Sequence, residues 1–167
     1  FRLADYFASC KHTISGEKLS LPIDEISKDL AYKADWLTEH IRTNEWLQNA
    51  EGFGWFNGYY DDDGHPVEGD HPKGVRMTLT GQVFTLMGEI ATDEQAREIV
   101  KSADKYLFDS SVGGYRLNTD FREVLHNLGN VFGFAYAHKE NGPMFSLMSV
   151  MYAYKIYQRG FIYEGYK

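Results

Sequence analysis

The sequence has one cysteine, Cys10, so no disulfide can close within the chain, and a reducing, cytoplasmic setting is expected. No apolar run approaches the roughly 20 residues that span a bilayer, and the opening FRLADYFASC has none of the three parts of a secretory signal. A membrane partner is therefore not expected. Positive charge is also short: 17 Lys and Arg stand against 24 Asp and Glu, net −7, with no basic cluster. Nucleic acid, which is held by neutralising phosphates, is a poor partner for such a chain. There is no phosphate loop, nucleophile elbow or Cys/His zinc spacing, so neither a cofactor nor a metal is expected. No series of alternating strands with hairpin signals competes with the helical patterns, and the expected class is all-α with long functional loops.

Aromatic residues, by contrast, are abundant at 16%: twelve Tyr, eleven Phe and three Trp. Many stand beside Gly, Asn and Asp, as in GFGWFNGYYDDDG at 52–64. That mixture suits a carbohydrate or another large polar ligand, because ring faces cover the C–H patches of a sugar while amides and carboxylates take its hydroxyls. A Tyr-rich core would produce the same composition.

The 167 residues suffice for one domain with a real core. Helical spacing runs over 1–9 and 24–48, the second with Ile26, Leu30, Ala34, Leu37 and Ile41 on one stripe that predicts packing on a core. The polar stretch 11–21 reads as a loop. Residues 52–76, rich in Gly and holding two of the four Pro, read as a long ordered loop, and loops of that length tend to be functional. A helix is expected over 77–88, and another from the capping box TDEQ at 92–95 to about Phe108. SVGGYRLNTDF, 111–121, reads as a loop with one short strand. From Pro143 to Arg159 the pattern is apolar nearly all round, which predicts a helix buried on most sides, with Pro143 in its first turn and Gly160 past its end.

Two motifs suggest metals and fail. Setting Gly64 at the sixth position of a calcium loop puts Asp61 third and Asp63 fifth, but Tyr59 first and Asp70 twelfth, where ligation is strongest. His65 and His71, six apart, fit no zinc spacing. The third motif is HKENGPMF, 138–145, in which Lys139 and Glu140 stand just before the apolar helix. There a carboxylate can accept and an ammonium donate to neighbouring sugar hydroxyls. An exposed ion pair worth ~0–1 kcal/mol is the plainer account.

HKENG with its following apolar helix, GGYRLNT before it, and NGYYDDDGHPVEGDHPKGVRMTLTGQVFTLMG further upstream together resemble the catalytic domain of glycoside hydrolase family 94 over about residues 24–167. That family includes cellobiose phosphorylase, 1,2-β-oligoglucan phosphorylase and the phosphorylase-like part of cyclic β-1,2-glucan synthase. The resemblance implies a partial (α/α)6 barrel, with Lys139 and Glu140 contacting the sugar on the non-reducing side of the scissile bond and Asn141 and Gly142 shaping the turn. Lys139, Glu140, Asn141, Tyr60, Asp61 and Gln82 are the expected substrate contacts, with the 55–70 loop lining their cleft.

The family's reaction implies inverting cleavage of a β-glucosidic bond, inorganic phosphate being the co-substrate and a carboxylic acid protonating the leaving oxygen. This chain departs from the pattern. Its only Asp-Trp, Asp35-Trp36, continues as Leu37-Thr38 rather than as the family's Asp-Trp-Asn-Asp-like acid motif, which is expected upstream of Phe1. Leu147 stands where the family tends to place a phosphate-binding His. Both ends look cut, and a partial barrel predicts exposed apolar faces and self-association or a missing half. The expectation is thus part of a β-glucan or β-glucoside phosphorylase-like enzyme, inactive as this chain alone. Its rivals are a non-catalytic carbohydrate-binding or interaction module and a hydrolase or transglycosylase relative that does not use phosphate.

Overall fold

The computed structural model describes residues 3–11 and 19–167. The chain divides into two compact units, Phe1–Trp36 and Leu37–Lys167. The first holds α1 (Leu3–Cys10), matching the expected helix, and the start of α2 (Ile23–Asn44). Most of the expected 11–21 loop lies outside the described residues. Pro22 opens α2 by accepting the N–H groups of Glu25 and Ile26 at 3.1 and 3.2 Å, while Asp24 and Glu25 complement the positive end of the helix. Of its apolar stripe, Ile41 is half-buried and packs on the core of the second unit, whereas Ile26, Leu30 and Leu37 are exposed and no residue of α2 is fully buried. An amphipathic pattern tells which face would be covered, not that a cover exists.

The second unit corrects the all-α expectation. Three two-stranded antiparallel hairpins accompany the helices: β1 (Trp46–Gln48) with β2 (Gly54–Phe56), β3 (Gly69–His71) with β4 (Gly74–Arg76), and β5 (Phe108–Asp109) with β6 (Gly114–Tyr115). Their strands have two or three residues, too few for an alternating pattern to register. Gly74 and Gly113, at the ends of the HPKG and DSSVGG connections, take φ of +130° and +69°. The 52–76 stretch, expected as loop, contains three of these strands. On the first hairpin Trp46 pairs edge-on with Phe56 across the ladder, ring centroids 4.9 Å apart.

The remaining helices follow the sequence signals more closely. α3 (Leu79–Met87) and α4 (Asp93–Tyr106) form as expected. The capping box is complete: Thr92 Oγ1 accepts the Gln95 N–H while Gln95 Oε1 accepts the Thr92 N–H. Trp55, Phe56, Leu79, Val83, Leu86, Ile99, Ala103, Tyr152 and Ile156 make the main core, where β2, α3, α4 and α5 meet. A second, smaller cluster joins Val67, Phe121, Leu128 and Phe132 with Tyr59.

α5 differs from its prediction at both levels. It begins at Ser146 rather than Pro143, because the Leu117 N–H takes the Pro143 carbonyl and Arg116 bridges to Met144, which holds that segment extended. It also buries only one face, through Tyr152 and Ile156; Leu147, Val150 and Tyr154 are exposed. Gly160, φ +86°, ends it as expected, and α6 (Ile162–Tyr166) follows. No helix among the described residues is long and apolar enough to cross a membrane.

Candidate functional site

Residues 137–142 fold into a tight turn. The Ala137 N–H donates to the Asn141 carbonyl at 2.7 Å and the Asn141 N–H to the His138 carbonyl at 3.0 Å, which leaves Lys139 and Glu140 at the tip. Ala137 and Lys139 take left-handed φ of +67° and +49°, a conformation that costs a non-glycine residue about 1 kcal/mol or more and persists only where surroundings enforce it. Asn118, 3% exposed, supplies much of that enforcement. Its Nδ2 donates to Asn141 Oδ1 at 3.0 Å, and its Oδ1 accepts the Gly142 N–H at 2.8 Å. Its carbonyl takes the Tyr136 hydroxyl at 3.1 Å. Asn141 Nδ2 reaches the Phe134 carbonyl at 2.7 Å, and Arg116 Nη1 the Gly142 carbonyl at 2.9 Å. A Cβ on Gly142, φ +77°, would lie 2.0 Å from Tyr136 Cε2, so only glycine fits there.

These bonds separate two roles within four residues. Asn141 and Gly142 are buried and hold the turn, while Lys139 and Glu140 are exposed. The Lys139 ammonium sits 4.5 Å above the centroid of the Phe134 ring. The Glu140 carboxylate makes no hydrogen bond or ion pair with any described residue.

Glu140 borders a cleft of about 280 Å³ with Gly58, Tyr59, Thr78, Thr80, Asn118 and the apolar side chains of Leu117, Val131, Phe132, Phe145 and Met148. Tyr59 and Phe132 meet edge-on at 5.6 Å, and the Tyr59 hydroxyl is anchored on the Leu128 carbonyl at 3.0 Å. The result is a small aromatic cavity with a few fixed polar groups and one unengaged carboxylate, the usual makeup of a site for a small polar ligand. Lys139 is not on its lining. A wider, open depression of about 900 Å³ lies between α2, α4 and α5, but its cations Arg42, Lys155 and Arg159 already hold the Ile90 carbonyl, Glu89 and Asp93.

One side of the cleft rests on a buried carboxyl, that of Glu68. Its Oε1 accepts the Gly58 N–H at 2.8 Å and the Thr78 hydroxyl at 2.7 Å, and its Oε2 accepts the Thr78 N–H at 2.8 Å. Burial pushes its pKa up to about 7 despite these donors, which pull the other way. Gly58 comes so close to α3 that a Cβ on it would stand 2.8 Å from Gly81 Cα, and a Cβ on Gly81 would stand 3.0 Å from Gly58 Cα.

The other expected contacts are placed as follows. The Tyr60 hydroxyl donates to the Glu45 carboxylate at 2.7 Å, and this bond is the first cause of its raised pKa. Asp61 Oδ1 accepts the N–H groups of Asp63 and His65, and Oδ2 the Asn127 amide at 3.1 Å. The His65 N–H is the largest cause of its lowered pKa. Asp61, Asp63 and His65 bring one possible ligand atom each within 4.8 Å of one another, yet the Asp61 oxygens are committed to folding their own loop. Gln82 is fully buried, its amide bonded to both backbone groups of Phe56 at 2.9 and 2.8 Å. It ties β2 to α3. Tyr59, Thr80, Asn118, Phe132, Phe145 and Glu68 escaped the sequence reading, although Asn118 lies within the quoted GGYRLNT and Glu68 within HPVEGD, where an acid follows a buried Val67.

The sequence model of the glycosyl hydrolase 94 superfamily, catalytic domain, matches residues 22–155, a stretch that contains the turn, the cleft and Glu68. No curated protein matches the chain.

Proposed function

The chain belongs to the catalytic-domain family of the glycosyl hydrolase 94 superfamily, and from that premise we propose that the cleft beside Glu140 binds a glucosyl unit of a β-linked glucan or glucoside. The observation that carries this reading is the pairing of an unengaged carboxylate with the aromatic cleft: Glu140 accepts sugar hydroxyls, Tyr59, Phe132 and Phe145 cover C–H faces, and Thr80 supplies a further polar group. Lys139, adjacent at the tip, donates to a hydroxyl by leaving the Phe134 ring, an exposed move of low cost.

In a complete enzyme of the phosphorylase type, this subsite would hold the sugar whose anomeric carbon inorganic phosphate attacks, while an acid protonates the leaving oxygen on the opposite face. Among the described residues Glu140 is the one carboxylate on the cleft lining, so in this reading proton donation falls to a group from outside it. The helices of residues 37–167 would then be part of an (α/α)6 barrel. A second reading, a hydrolase or transglycosylase that does not use phosphate, is favoured by Leu147, an exposed apolar residue in the first turn of α5 that offers phosphate no donor.

Calorimetric titration with β-linked gluco-oligosaccharides tests the site. Glu140→Gln and Lys139→Ala should each weaken binding about tenfold, the worth of a charge-assisted hydrogen bond. Unchanged affinity in both variants would sink the proposal. The chain should release no sugar 1-phosphate from these substrates, and its appearance would refute the need for an outside acid.

A further inference from the structure

The sugar reading gives no task to the buried carboxyl of Glu68. We propose that Glu68 is a positioning residue for the cleft: its carboxyl clamps the Gly58 backbone to Thr78 at the head of α3, and its protonation releases the Thr78 hydroxyl to a bound ligand. The identity of that ligand rests on the proposed sugar site; the clamp itself rests on geometry. Both groups it holds, Gly58 and Thr78, border the cleft that Glu140 faces. Three donors converge on the ionised carboxylate, from Gly58 N–H, Thr78 N–H and Thr78 hydroxyl, at 2.7–2.8 Å.

When the carboxylate takes up one proton from solvent, its new O–H must donate, and of its three partners only Thr78 Oγ1 can accept. The Thr78 hydroxyl then gives up its bond to Glu68 Oε1 and carries its own hydrogen to the cleft that it lines. The groups facing the carboxyl from β2, the 57–58 loop and α3 are the Trp55 indole, Gly58 and Thr78, all uncharged. Glu45 is reached only through Asn57, whose Nδ2 it accepts at 3.1 Å and whose Oδ1 takes the Glu68 N–H. In the following hairpin Arg76 and Asp70 act on His71, and Arg76 is paired with Glu123. Burial places the proton exchange near neutrality, at about 7, so the switch operates where an enzyme works.

The test is a pH series on the intact chain with two readouts: amide shifts of Gly58 and Thr78 by NMR, and affinity for a β-linked gluco-oligosaccharide. In the unmodified protein both amides should move with one shared midpoint near neutral pH, and sugar should bind about fivefold more tightly below it than above, the worth of one added neutral hydrogen bond. Glu68→Gln, whose amide N–H donates to Thr78 as the neutral acid does, should bind at every pH as the unmodified protein does at low pH. Thr78→Val should raise the amide midpoint of Gly58 by about one pH unit, since it removes a donor to the carboxylate, and should bind at the weak level throughout. It stands as an independent check where Glu68→Gln fails to fold. Amides that do not titrate together, or sugar affinity that is flat with pH in the unmodified protein, overturn the inference and leave the sugar site standing. Amides that titrate together in a protein binding no sugar at any pH support the clamp and overturn the sugar reading instead.

Discussion

The 61–65 loop and the 137–142 turn both present acids beside glycine, yet they use them in opposite ways. In the first, Asp61 satisfies two backbone N–H groups and the Asn127 amide, so the most acidic run in the chain is occupied with its own folding. In the second, Asn118, Asn141 and Gly142 do the holding, and Glu140 is left unengaged at the edge of an aromatic cleft. The density of carboxylates therefore says little about where chemistry sits. In the proposed reading, the site is marked by a carboxylate relieved of structural duty by neighbours that carry it.

The sharpest way to break this contrast is Gly142→Ala. The added methyl meets the Tyr136 ring and the backbone stays left-handed, so unfolding free energy should fall by about 4 kcal/mol in a urea titration. A loss below about 1 kcal/mol would mean the turn is not enforced as described.

Next comes the pH response of the buried Glu68, a carboxyl that holds structure but stands behind the site. Its folded pKa, about 7, lies above the ordinary 4.5, so the folded protein binds the proton more tightly than the unfolded chain. Its contribution is fully present below about pH 4.5 and is lost as pH rises to 7, on the order of 3 kcal/mol in all. Unfolding midpoints in denaturant at pH 5 and pH 8 measure it, and Glu68→Gln should abolish the difference.

Asp61→Ala should have a smaller, local effect: faster amide hydrogen exchange at Asp63 and His65 with the global midpoint little changed. The Asp61 carboxyl is held below its usual range, so its ordering of the loop is present above about pH 4 and lost as pH falls through the folded pKa. The least stabilising residue is the most informative. Glu140→Gln should change stability by no more than about 0.5 kcal/mol while weakening sugar binding, a dissociation of roles that Asp61 cannot show.

Legibility in the sequence followed the same division. The capping box at Thr92 and the α3 and α4 helices were readable because local rules decide them. The turn at Lys139 and Glu140 was readable as a charged pair before an apolar helix. The hairpins were not, since two or three residues carry no period, and α2 and α5 were assigned more burial than they have because the pattern is blind to missing cover. Within the site, Asn118 and Glu68 went unread for a different reason. A polar side chain whose worth lies in joining residues 23 or 24 positions away, as Asn118 joins Asn141 and Gly142, leaves no trace at its own position.

The close approach of Gly58 to Gly81 has a consequence for how this protein can vary. Each glycine occupies the space that the other's side chain would need, and Gly58 is also held at 2.8 Å by Glu68, so it cannot step back. Neither position can drift alone, and a change at both would thrust two side chains into the same gap. The pair behaves as one heritable unit with one permitted spelling. Diversity in what this cleft accepts must then arise on its other margins, at Thr80, Phe132 or Phe145, which makes those three positions the place to begin a library for altered ligand preference.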